Sequence, residues 1–151
     1  MDVIFQTRKP SEVGRWKYIF VHHSRSLSGN ARTLDPDGKA ADHFVIGNGD
    51  GAVDGEIQIG QRWDSQQSAL APAGASNIDP ACISICMVGD FDRNKPTQTQ
   101  LRRLTQLVTA LQARFQIPAA DVSVVNQSKA GAAGIGRYFP AAAFREDLLP
   151  N

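Results

Sequence analysis

Apolar residues fall in short runs along most of this chain and recur at helical spacing over one long stretch. The first run, Trp16-Lys17-Tyr18-Ile19-Phe20-Val21-His22-His23-Ser24, reads as a strand that delivers two imidazoles and a hydroxyl at its end. Strand alternation sends Tyr18, Phe20 and His22 to one face and Ile19, Val21 and His23 to the other, so only one of the paired histidines can look into a given cleft. His43-Phe44-Val45-Ile46, a reversal through Asn48-Gly49 and Asp50-Gly51, and Glu56-Ile57-Gln58-Ile59-Gly60 predict a β-hairpin with Gln61-Arg62-Trp63 at its end. Cys82-Ile83-Ser84-Ile85-Cys86-Met87-Val88 is apolar on both parities, which predicts a central strand.

Helical spacing takes over at Thr97, where Thr97 and Gln100 form a capping-box pattern. Leu101, Leu104, Leu107, Val108, Leu111 and Phe115 then recur as one stripe that would pack on the sheet. Arg102, Arg103, Gln106 and Gln112 fall off the stripe and read as its solvated face, and Ile117-Pro118 ends the helix. Asp121 to Val125 reads as a further strand, Asn126 to Gly136 as a loop of small residues, and Ala141 to Leu149 as a short helix. The polar stretches 24–39 and 64–80 read as loops, the first over the sheet edge or the rim of a cleft. Together these elements predict a single α/β domain with a mixed central β-sheet flanked by helices, spanning residues 16–151 after an irregular lead-in at 1–15.

Composition narrows the function classes. The 151 residues are 42% hydrophobic and 21% charged, as in an ordinary globular domain. A net charge of +1 argues against a dedicated nucleic-acid surface or a polybasic membrane patch. No run has the length of a membrane span or of a secretory leader, so the compartment stays unknown. Cys82 and Cys86 would sit roughly 13 Å apart on one strand, too far for a disulfide with each other, and read as free core thiols.

Few residues offer chemistry. The chain has three histidines. His23 and His43 lie in strands where a backbone carbonyl or a hydroxyl such as that of Ser24 would satisfy a ring N–H. Arg62 and Trp63 would make a cation and aromatic platform for a sugar or carboxylate, or else simple packing with a surface charge. His22, Asp42 and Cys86 have ligand types acceptable to zinc, although nothing in their spacing demands a site.

The landmarks Trp16 to Ser24, His43-Phe44-Val45-Ile46-Gly47 with Asp50-Gly51, Val88-Gly89-Asp90-Phe91, Pro96-Thr97 with Gln100-Leu101, and Gly136-Arg137-Tyr138-Phe139-Pro140 occur in an order that resembles the zinc N-acetylmuramoyl-L-alanine amidases. That family includes the T7 lysozyme-like enzymes and the peptidoglycan recognition proteins. The resemblance implies their fold, peptidoglycan or muropeptides as partners, and, by analogy alone, a place at the cell envelope. It also implies a zinc held by a histidine ending the first strand, a histidine after the last strand and a cysteine eight residues later. Those positions fall here on His22, Asn126 and Gly134, so one ligand of the three is kept. The tyrosine that precedes the His-Phe pair in many active members is Asp42, the third-strand glutamate of recycling amidases is Cys86, and Ala132 stands two residues before the cysteine position. The resemblance therefore implies a domain that binds peptidoglycan fragments without cleaving them. No residue is assigned a catalytic role, no cofactor is expected, and His22, Asp42, Arg62, Trp63 and Asn126 are expected near the groove. The alternatives are an active N-acetylmuramoyl-L-alanine amidase with zinc in a rearranged site, and a scaffold kept for protein contacts.

Overall fold

The computed structural model describes residues 1–34, 41–70, 78–124 and 135–150. Among them, strands β1 (Tyr18–His23), β2 (Phe44–Ile46), β3 (Ile57–Ile59), β4 (Cys82–Met87) and β5 (Val122–Val124) form one sheet in the order β3-β2-β4-β1-β5. β4 pairs in parallel with β1 and with β2, β1 pairs in parallel with β5, and only the β2–β3 hairpin is antiparallel. The sheet is mixed, with β4 at its centre and every residue of β4 buried, as its double-sided apolar pattern predicts.

The long helix α2 (Gln98–Phe115) closes one face of the sheet. Leu104, Leu107, Val108 and Leu111 from its stripe join Ile19, Val21, Ile83, Ile85, Met87, Val122 and Val124 in the main core. Its capping box is complete: Thr97 Oγ1 accepts from the Gln100 N–H at 2.9 Å, and Gln100 Oε1 accepts from the Thr97 N–H at 3.1 Å. Gln100 does more than cap, because its side-chain amide donates to Ile46 O and Val88 O and so fixes the start of the helix to the ends of two strands.

The structure differs from three readings of the sequence. Gln61–Asp64 is a one-turn helix, α1, rather than the end of the hairpin strand. Gln112 is buried instead of solvated: its amide donates to Ile117 O and Leu149 O and accepts from the Leu149 N–H, satisfying groups beyond the end of α2. The lead-in contributes to the core, since Ile4 is buried and its carbonyl accepts the indole N–H of Trp63 at 2.6 Å.

The segment before the last short helix, α3 (Ala141–Glu146), is held to the end of β4 by a position that only glycine fills. Gly136 has φ +92°, and a Cβ there would lie 2.5 Å from the backbone of Phe91. That close approach lets the Tyr138 N–H donate to Phe91 O at 2.7 Å, which joins two distant sequence landmarks in space.

Candidate functional site

Register decides which side chains meet. His22 pairs with Cys86 and Phe20 with Ser84 across the parallel β1–β4 ladder, so all four project from the face opposite α2. Asp42 is brought to the same face by the residue after it. The His43 N–H donates to Ser84 O and the Ser84 N–H donates to His43 Nδ1, both at 3.0 Å, which stitches the entry to β2 against β4 and sets Asp42 beside Ser84.

The result is a closed polar network on the sheet face opposite α2. His22 Nε2 and Asp42 Oδ1 are 2.6 Å apart, and the Ser84 hydroxyl donates to the same carboxylate oxygen. Both members of the pair are largely buried, with side-chain exposures of 9% for His22 and 14% for Asp42. Burial alone would push the imidazole down, but the Asp42 charge and hydrogen bond outweigh it and hold His22 above its ordinary 6.5. Burial likewise opposes the Asp42 carboxylate, yet His22 and Ser84 hold it below 3.8. Both shifts favour the imidazolium and carboxylate forms of the pair. Phe20 stacks on the His22 ring with centroids 5.4 Å apart. Further along β1, Tyr18 is 38% exposed, so a shelf of two aromatic rings leads up to the ion pair. Val45, Cys86 and Val88 line the other side, with Ala31 and Leu34 packed against them from the loop after β1, which the sequence predicts as a rim.

The other two histidines are tied into the scaffold. His43 Nε2 donates to Gln67 O at 2.7 Å while Nδ1 accepts from Ser84, a neutral tautomer that burial holds at a pKa of about 4. His23 points to the α2 side, accepts the Phe91 N–H on Nδ1 and stacks on the Phe91 ring. Its Nε2 finds no hydrogen-bond partner among the described residues.

Two expected groove residues lie elsewhere. Trp63 is completely buried in the main core, packed on Trp16, His43, Phe44 and Phe115, because α1 turns the indole inward and Ile4 O accepts its N–H. Arg62 donates to Ser68 O at 3.0 Å rather than reaching the ion pair. Together they form no platform, and Tyr18 and Phe20 supply the aromatic surface instead. Asn126, Gly134 and Ala132 lie outside the described residues. Ser84 and Phe20 were not singled out in the sequence. The signals were a lone serine inside an apolar strand and its parity with Cys86.

A family model described as N-acetylmuramoyl-L-alanine amidase matches residues 12–136. The chain belongs to the N-acetylmuramoyl-L-alanine amidase family. No curated protein matches it. Among solved structures, it is similar to the N-acetylmuramoyl-L-alanine amidase LysC from Clostridium intestinale, with 18% identity over 97% of this chain and 94% of that one and a TM-score of 0.67. PGRP-Hd from Alvinella pompejana gives 19% identity, coverage of 97% and 92% and a TM-score of 0.54. Human PGRP-IBETAC, solved with glycosamyl muramyl pentapeptide, gives 16%, 77% and 76%, and 0.51. At these identities the likeness to the solved structures is one of fold.

The Asn126 amide and the absent side chain of Gly134 are not donor types that a structural or catalytic zinc takes from protein side chains. Among the described residues, His22, Asp42 and Cys86 form the one group with metal-binding side chains together, each offering a donor atom within 4.8 Å of the others. Cys86 enters that group as a thiol, since burial and then Asp42 push it well above its ordinary value.

Proposed function

We propose that this domain binds peptidoglycan fragments of the muropeptide class in the cleft over β1 and β4 and does not cleave them. The observation that carries this reading is the closed His22–Asp42–Ser84 network. With His22 Nε2 and the Ser84 hydroxyl both turned onto Asp42 Oδ1, the network as it stands presents neither as a zinc ligand or nucleophile towards a bound amide. What remains available suits binding: an imidazolium edge for a carboxylate or acyl oxygen, and the Tyr18 and Phe20 rings for the apolar face of a sugar. Membership of the amidase family and the muramyl pentapeptide bound by human PGRP-IBETAC support the ligand class. The expected absence of catalysis and of a family zinc rests on the residues at Asn126 and Gly134.

The test pairs two measurements. Titration with a soluble muropeptide should shift the amide resonances of Tyr18, Phe20, His22 and Ser84, and concentrated protein should release no stem peptide from peptidoglycan. No shifts would remove the binding reading and leave the scaffold. Stem-peptide release that disappears in His22→Ala would establish the hydrolytic alternative, whose structural support is the grouping of His22, Asp42 and Cys86.

A further inference from the structure

The cleft floor also contains a donor set that the proposed function does not use as such. His22 at the end of β1, Cys86 beside it on β4 and Asp42 before β2 come from three neighbouring segments, and one donor atom from each lies within 4.8 Å of the other two. A nitrogen, an oxygen and a sulfur suit a borderline divalent ion of the zinc type, whereas calcium or magnesium would ask for more oxygens. Charge favours the same ion. Asp42 carboxylate and Cys86 thiolate with a neutral His22 carry two negative charges, which a divalent cation cancels, so the buried site would be electrically neutral. Asp42 has an outer partner already in place, the Ser84 hydroxyl on its Oδ1, which would orient the carboxylate as a ligand.

The geometry points to a divalent transition-metal site formed by His22, Asp42 and Cys86. Two of its three ligands differ from the positions that the family resemblance assigns. Forming it takes a rearrangement: the Nε2 to Oδ1 separation opens from 2.6 Å to the roughly 3.4 Å that two ligands about 2.1 Å from a shared tetrahedral zinc require, and the Cys86 sulfur, within 4.8 Å of both, settles at about 3.6 Å from them. The metal replaces one proton on His22 and one on Cys86, which are released to solvent. Once all three groups are ligands, none is left to shuttle a proton. Metal would therefore hold a carboxylate or carbonyl of the bound fragment without restoring turnover. The site stands independently of fragment binding, because its donors are complete without a ligand.

Cobalt(II) titration of the intact chain tests it, with zinc as competitor. The expected result is one equivalent bound, with a sulfur-to-cobalt charge-transfer band that zinc removes. Cys86→Ser should abolish the band, Asp42→Asn should weaken binding about a hundredfold, and Ser84→Ala, which removes only the outer partner, about tenfold. Cys82→Ser is the control: Cys82 shares the face but belongs to neither the ion pair nor the donor set, and the band should persist. Absence of saturable binding by the folded wild-type chain overturns the site. So does a band that survives Cys86→Ser or vanishes in Cys82→Ser. Muropeptide titration of metal-free and metal-loaded protein separates the two inferences. Fragment binding without metal binding sinks only the metal site, and metal binding without fragment binding sinks only the proposed function.

Discussion

Ile19, Val21, Ile83, Ile85 and Met87 face α2 and are fully buried in one continuous apolar core. Their immediate neighbours in the same two strands, Tyr18, Phe20, His22, Ser84 and Cys86, face the other way and form a cleft with an ion pair at its floor. The two faces differ in how their stability is built. The α2 face draws mainly on area and packing, whereas the opposite face depends on a few oriented polar contacts. A change on the first face should therefore register mainly in stability, and a change on the second mainly in protonation and ligand contacts.

Trp63→Ala should give the largest effect. Trp63 is on the α2 side of the comparison, completely buried and in contact with four other rings. Truncating it should cost about 3–5 kcal/mol in a denaturant titration. If the substitution were cheap and instead weakened muropeptide binding in a folded protein, the division between the faces would fail at this residue.

This residue also marks where the sequence stopped being legible. The double-sided apolar pattern of β4, the Thr97–Gln100 box and the alternation that separates His22 from His23 are local rules, and the structure follows them. Trp63 escaped because the strand alternation of β3 ends at Gly60, and a one-turn helix then aims the indole by different geometry. Gln112 escaped because its partners, Ile117 O and Leu149, become neighbours only after the chain has turned back. Asp42 was placed near the groove by family resemblance, but its hydrogen bond with Ser84 depends on the β2–β4 register, which no local pattern specifies.

The pH dependence of stability should separate His22, at the end of β1, from His43, just before β2. His43 is held neutral, with a native pKa of about 4 against 6.5 for the ordinary group. The unfolded chain takes up its proton first, so stability is full above pH 6.5 and falls as pH drops towards 4, by about 3 kcal/mol in all. His22 has the opposite sign. Its native value is raised, so its contribution is full below pH 6.5 and is lost as pH rises through the native value. Asp42, lowered from 3.8, keeps its contribution above that pH and loses it only in stronger acid. Between pH 6.5 and 4, where His22 is protonated in both the folded and the unfolded chain, His43 sets the decline of wild-type stability, and His22 acts on the slope only above pH 6.5. In Asp42→Asn the carboxylate no longer opposes the burial that lowers His22, so His22 joins His43 in resisting protonation, the acid slope between pH 6.5 and 4 steepens, and at pH 5 the variant should be about 1–3 kcal/mol less stable than wild type. Parallel profiles for the two proteins would show that the pair adds nothing to the difference between the faces.

Ser84→Ala should be the smallest change and the finest probe of the cleft. Ser84 is completely buried on the central strand, and its hydroxyl donates to Asp42 Oδ1, the oxygen that also meets His22. Its backbone keeps both links to His43 whatever the side chain, so the strand register should survive the substitution. Removing the hydroxyl deletes one hydrogen bond to a charged acceptor and leaves His22 as the carboxylate's remaining side-chain donor. The expected cost is about 1–2 kcal/mol near neutral pH, with the Asp42 titration moving up because one source of its lowering is gone. The imidazole resonances of His22 should still report a charged ring at pH 6, since the carboxylate remains beside it. A neutral His22 in this variant would mean that the serine, and not the opposite charge, holds the proton on the ring. The cleft would then depend on the orientation of Asp42 more than on its charge.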